Sequence, residues 1–158
     1  MRAPLQETTL RYKNEIAFLH EHETKTEENK RLKWSSNQLR TFLKKYPSAP
    51  KDYRDYMLEI GPGPFREFQF LVHDGLFLLS ELVEGLNPTY TENVLIFGHN
   101  FSGDLSGFLL PKWEVSEFLH ETDELYVYPI SFHTYIRQMM LIGTDGKDER
   151  IYRRTHDA

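Results

Sequence analysis

The sequence predicts an α+β protein, with a central, mostly antiparallel sheet and N-terminal helices and a C-terminal helix packed around it. Three observations carry that expectation. Apolar residues recur at helical spacing up to about residue 60. From residue 65 the period falls to two, punctuated by Gly, Pro and an Asp-Gly pair, and helical spacing returns after residue 130. At 158 residues the chain is long enough for one domain with a real core. Its pattern shows no internal repeat or linker, and residues 144–158 read as a flexible tail.

Taken in order, residues 7–46 read as helical with a weak point near "HETKTEEN". Leu10, Ile16, Ala17 and Leu19 recur at near-helical spacing. In "SSNQLRTFLKKY" the serines are candidate caps, Leu39, Phe42 and Leu43 form a stripe, and Pro47 and Pro50 end the segment. In "APKDYRDYMLEIGPGPF", Pro50 is placed to start a helix whose apolar face is Tyr53, Tyr56, Met57 and Ile60. Gly61 stops it, and the Gly-Pro repeat with Gly63 makes a tight turn. "EFQFLVHDGLFLLSEL" reads as two strands joined by a turn at Asp74 and Gly75, and Ser80 is a candidate cap for a short helix or turn in "SELVEGLNP". "NVLIFGHN" is a buried strand with "SGFLLPKW" and "VSEFLHE" as partners. "DELYVYPISFHTYIRQMMLIG" gives a strand and a last helix with Phe132, Ile136, Met139 and Met140 inward and Gly143 at its end.

Charge is unevenly spread. Residues 1–50 carry ten Lys/Arg and six Asp/Glu, whereas residues 51–142 carry five and fourteen. A body of net charge −9 disfavours nucleic acid, whose phosphates demand cationic neutralisation, and favours a basic partner. The chain has no cysteine, so disulfides, thiolate metal sites and cysteine nucleophiles are excluded. No apolar run reaches the roughly 18 residues of a membrane span, and the N-terminus lacks the apolar core of a signal peptide. The expected compartment is the cytoplasm, with no membrane partner.

The stretch "FGHNFSGDLSGF", residues 97–108, looks most like a working part. It lacks the spaced oxygen ligands and closing glutamate of a calcium loop. Among the histidines no helical pair has metal-ligand spacing, leaving a zinc site from distant strands (His73, His99 and His120) as the one arrangement open to the linear sequence. Ser102 sits in no nucleophile elbow. The architectural reading is a hairpin or bulge. Gly98, Gly103 and Gly107 allow close approach and positive φ, Asn100 and Asp104 bond to turn amides, and the exposed face of the turn meets a partner.

The order of these motifs resembles the SUKH superfamily, the Smi/Knr-like proteins. "APKDYRDYMLEIGPGPF" is similar to its early helix and Gly-rich turn, "NVLIFGHNFSGDLSGFLL" to its strand, Gly-Asp turn and strand, and "ELYVYPISFHTYIRQMM" to its closing strand and helix opened by Ser-Phe. The likeness covers roughly residues 35–142 and implies an α+β domain over 35–143 preceded by an N-terminal helical extension over 1–34, although the turn here is Gly-Pro-Gly-Pro where the family usually has Asn-Gly-Gly. The resemblance implies no catalytic residues, no cofactor or metal, and binding of a protein. Most bacterial members are immunity proteins that block secreted polymorphic toxins, often nucleases or deaminases, by binding them in the cytoplasm, and the expected partner here is the basic C-terminal domain of such a toxin. Eukaryotic relatives are regulatory modules without a toxin, which is the alternative here. A small metal-dependent hydrolase is a second alternative.

On these expectations the partner-binding residues are Asp104, Trp113, Glu114, Glu117, Glu121, Asp123 and Glu124, with Phe118 as a further candidate anchor. Were "WEVSEFLHE" a strand, Trp113, Val115 and Glu117 would share one face and Glu114, Ser116 and Phe118 the other. The competing reading is an exposed edge strand protected by charge. The chain is expected to be a monomer or homodimer.

Overall fold

The computed structural model describes residues 9–86 and 92–142, together with a two-residue strand at 154–155. The class is α+β as expected. Helices α1 (Lys13–His22), α2 (Ser36–Lys45) and α3 (Lys51–Glu59) precede the sheet, and a one-turn helix α4 (Leu79–Leu82) interrupts it. Helix α5 (Phe132–Met139) follows the strands β1 (Gly63–Phe65), β2 (Phe70–Leu78), β3 (Val94–Asn100), β4 (Leu105–Leu109), β5 (Glu114–Leu119) and β6 (Glu124–Tyr128). A last strand, β7 (Arg154–Thr155), pairs with Val127 and Tyr126. All neighbours are antiparallel and spatial order follows chain order, so the sheet is a simple meander. The remainder of the expected tail, and Gly143, lie outside the described residues.

Local chemistry sets the helix ends. Ser35 and Gln38 form a reciprocal capping box that starts α2. Gly61, at φ +94°, ends α3, where a Cβ would lie 2.5 Å from the Leu32 carbonyl oxygen. Three details differ from the sequence expectation. Residues 23–35 hold only a 3₁₀ turn (Glu27–Asn29). Beyond it the chain runs extended because Leu32 and Trp34 donate their amides to Pro62 and Met57 at 3.2 and 2.8 Å. Asp74 and Gly75 do not turn the chain. Gly75, at φ +121°, sits in a bulge within one continuous strand, and both halves of β2 pair with β3 while the Trp34 indole N–H holds the Asp74 carboxylate at 2.7 Å. Finally, α4 begins at Leu79, so Ser80 lies inside the helix and does not cap it.

Both faces of the sheet are buried. One carries Phe70, Val72, Phe97, Phe108, Val115 and Tyr128 against α1, α2, α3 and α5. Rings of Tyr53, Phe97, Phe108 and Phe132 meet there at centroid distances of 5.0–5.8 Å, within the range where edge and tilted contacts are favourable. The opposite face carries Ile96, Leu109, Phe118, Leu125 and Val127, with Leu79 of α4. Strand β5 therefore lies between β4 and β6 and is no exposed edge. The predicted alternation holds, with Val115 and Glu117 toward the helices and Ser116 and Phe118 away.

That alternation places a carboxylate inside. Glu117 is 3 % exposed and accepts hydroxyl hydrogen bonds from Tyr128 of β6 and Tyr135 of α5. The Tyr135 hydroxyl also lies 2.6 Å from the Ser106 hydroxyl on β4. A second buried acid, Glu15 of α1, meets His133 at 3.0 Å and Arg137, both on α5. Burial alone would raise the Glu15 pKa, but the bonds from His133 and Arg137 outweigh it and hold the carboxyl below its ordinary value.

Glu117→Ala strands two tyrosine hydroxyls and is expected to cost about 2–4 kcal/mol in urea unfolding, with Glu117→Gln costing less. An unchanged midpoint for the alanine variant would contradict this role. A depressed folded-state pKa at Glu15 stabilises the fold above the unfolded value and loses that effect as pH falls. Thermal midpoints are therefore expected to drop below roughly pH 4, and to drop less in Glu15→Gln.

Candidate functional site

Because the sheet is a meander, three turns share one end: β1–β2 (66–69), β3–β4 (101–104) and β5–β6 (120–123). Backbone and side-chain bonds stitch them together. The Phe101 amide donates to the Gln69 carbonyl at 3.0 Å. The Asp104 carboxylate accepts from the His120 amide at 3.1 Å and lies 2.8 Å from His120 Nδ1. Within its own turn, Asp104 donates its amide to Asn100 Oδ1 at 2.9 Å, and Gly103 takes φ +92°. Burial would raise the Asp104 pKa, but the bonds from His120 and Asn100 hold it below its ordinary value.

The β1–β2 turn is held in an unusual conformation. Arg66, Glu67 and Phe68 all lie in the left-handed region, at φ 53°, 49° and 67°. Side chains cost energy there, so surrounding bonds must hold the turn. Buried Asn29 accepts from the Glu67 amide at 3.0 Å and donates to its carboxylate at 3.1 Å. Thr24 donates to the same carboxylate at 3.2 Å. The Arg66 guanidinium donates at 2.6 Å to the Met139 carbonyl, the negative end of α5. Two aromatic side chains stand exposed on this end, Phe68 at 45 % and Phe101 at 76 %. Between the turns is a polar cleft of about 180 Å³ that Arg66, Gln69 and Ser102 help to line.

Of the expected partner residues, Asp104, Glu121, Asp123 and Glu124 gather at this end. Glu121 and Asp123 are exposed, while half-buried Glu124 accepts from the Tyr126 hydroxyl at 2.8 Å. Trp113 and Glu114 sit at the opposite end of the sheet. Trp113 packs on Phe108 and Tyr46 at 5.5 and 6.2 Å, as part of the core margin. Glu117 and Phe118 are both buried, so neither faces a partner. Of the glycines, Gly98 and Gly107 let strands approach, since a Cβ would lie 2.6 Å from the Leu71 and 2.5 Å from the Leu95 carbonyl oxygen. Gly61 and Gly63 abut residues 30–33 instead.

The three-histidine arrangement does not form. His73 Nε2 lies 2.8 Å from His99 Nδ1, so one ring nitrogen of each is spent on the other, and His120 turns to Asp104. Burial and the neighbouring imidazole push His73 down to about 4, which leaves it neutral at physiological pH. Among the described residues no three His, Asp or Glu side chains gather as a metal-binding group. No helix among them is long and apolar enough to cross a membrane. Comparison with protein families, curated proteins and solved structures finds no match to this chain.

Sequence reasoning missed Phe68, Phe101, Arg66 and Asn29. An aromatic inside the polar turn "HNFSGD" was the available signal for Phe101, because a turn tip offers no core to bury it. Asn29→Ala removes the clamp on the left-handed turn. It is expected to cost about 1–3 kcal/mol and to speed hydrogen exchange at the Glu67 amide. Unchanged exchange there would show that the clamp lies elsewhere.

Proposed function

We propose that this chain is an immunity protein of SUKH type, which binds the basic C-terminal domain of a secreted toxin, a nuclease by preference, and neutralises it in the cytoplasm. One observation carries the reading. The three turns at one end of the sheet, with the first residue of β6, bring together Glu67, Asp104, Glu121, Asp123 and Glu124, with Arg66 as their only arginine or lysine. A nuclease cleft built to hold phosphates is cationic, so an anionic end on its inhibitor speeds encounter and sets orientation. The resemblance of the helix, turn and strand motifs to immunity proteins supports the same reading, as does the α+β meander that carries them. Nothing in the proposal needs a cofactor or a catalytic group on this chain.

The experiment is co-expression with the neighbouring reading frame. The expected result is rescue from a toxin whose C-terminal domain is basic and which co-purifies with this chain. Recovery of a housekeeping protein without any rescue would move the weight to a regulatory module. Within the complex, replacing Glu121, Asp123 and Glu124 by Lys is expected to slow association at low salt by about tenfold or more and to flatten its salt dependence. An unchanged on-rate would remove these residues from the encounter surface.

A further inference from the structure

The turn end carries a feature that charge alone leaves unused. Phe101 is the most exposed large apolar side chain among the described residues, at 76 %, and Phe68, at 45 %, stands on the adjoining turn. The two turns are joined directly, since the carbonyl of Gln69, the residue after Phe68, accepts the Phe101 amide at 3.0 Å. Neither ring is left outward by loose chain. Phe68 rises from three consecutive left-handed residues held by Asn29, Thr24 and the Met139 carbonyl, and Phe101 from a turn closed by Asn100 and Asp104. The bonds of this turn serve the fold through Arg66 and Glu67, but the ring of Phe68 is held out to water with no part in them. It suits a preorganised contact, because ordering has already been met before binding.

The surroundings select the occupant. A purely apolar partner would have to desolvate Glu121 and Asp123, which stand exposed on the third turn. An arginine-bearing surface satisfies both elements, with a guanidinium face stacked on a phenylalanine ring and the N–H groups of the same or neighbouring arginines paired to the carboxylates. From this geometry we infer that Phe68 and Phe101 form a stacking platform for arginine side chains on a cationic protein partner, with the acids of the β5–β6 turn pairing with the same or neighbouring arginines. The inference deepens the inhibitory reading by naming the side chains that anchor the partner. Encounter depends on the carboxylates and residence on the rings.

The test uses the isotopically labelled full chain and octa-arginine as the probe, followed by NMR at low salt. Shifts are expected at residues 66–69, 101–104 and 120–124. Phe101→Ala and Phe68→Ala are each expected to weaken binding by about two- to fivefold. Leu32→Ala, an exposed leucine elsewhere on the surface, should leave binding unchanged. Octa-glutamate should cause no shifts at these turns. Shifts confined to another face, or equal affinity in wild type and both phenylalanine variants, would overturn the platform. A toxin neutralised equally well by the Phe68→Ala/Phe101→Ala double variant removes the platform and leaves inhibition standing. Ring-dependent arginine binding without any toxin rescue removes inhibition and leaves the platform.

Discussion

The buried carboxylate of Glu117 is the constraint on which the working end depends. It sits on a central strand beneath α5 and takes hydroxyls from Tyr128 and Tyr135, while Ser106 reaches Tyr135 from the next strand. One acid thus ties three strands and a helix to a common position. Helix α5 then holds two further parts. Its His133 and Arg137 fasten α1 through Glu15, and its final carbonyls receive Arg66 from the β1–β2 turn. The path from the core to the exposed Phe68 is therefore short and made of directional bonds. Misplacing α5 would loosen the left-handed turn before it disturbed the outer strands.

Acidic residues in this chain differ sharply in what they could offer a partner. Glu15 and Glu117 are nearly inaccessible and act as acceptors inside the fold, so they contribute little to the field a partner meets at a distance. Asp104 is spent on His120 and on its own turn. Glu121 and Asp123 are left as exposed carboxylates at the turn end. The formal charge of the body thus overstates the anionic surface at this end, and position matters more than the count. A partner would respond to a small anionic end flanked by two phenylalanines.

Much of the architecture was legible because hydrophobic period and turn residues act locally. The capping box at Ser35, the stop at Gly61 and the hairpin across Gly103 all follow from residue chemistry that needs no tertiary partner. The Asp74-Gly75 pair failed as a turn because such a pair also suits a bulge, and pairing with β3 on both sides decided between the two. Residues 23–35 failed as helix because Leu32 and Trp34 find their hydrogen-bond partners more than twenty residues away. The site was half legible. Its turn acids were visible as charge in a loop, but Glu117 looked the same, since alternation gives a face without saying which face is buried. The left-handed turn at 66–68 had no signal at all, because no glycine or asparagine stands there and its clamp comes from Asn29.

The most direct test of the account is hydrogen–deuterium exchange on this chain, free and bound to a basic toxin domain that it is found to neutralise. The account predicts new protection concentrated at 66–69, 101–104 and 120–124, with the opposite end around Lys112–Glu114 unchanged. Protection centred on that opposite end, or on α2, would contradict it.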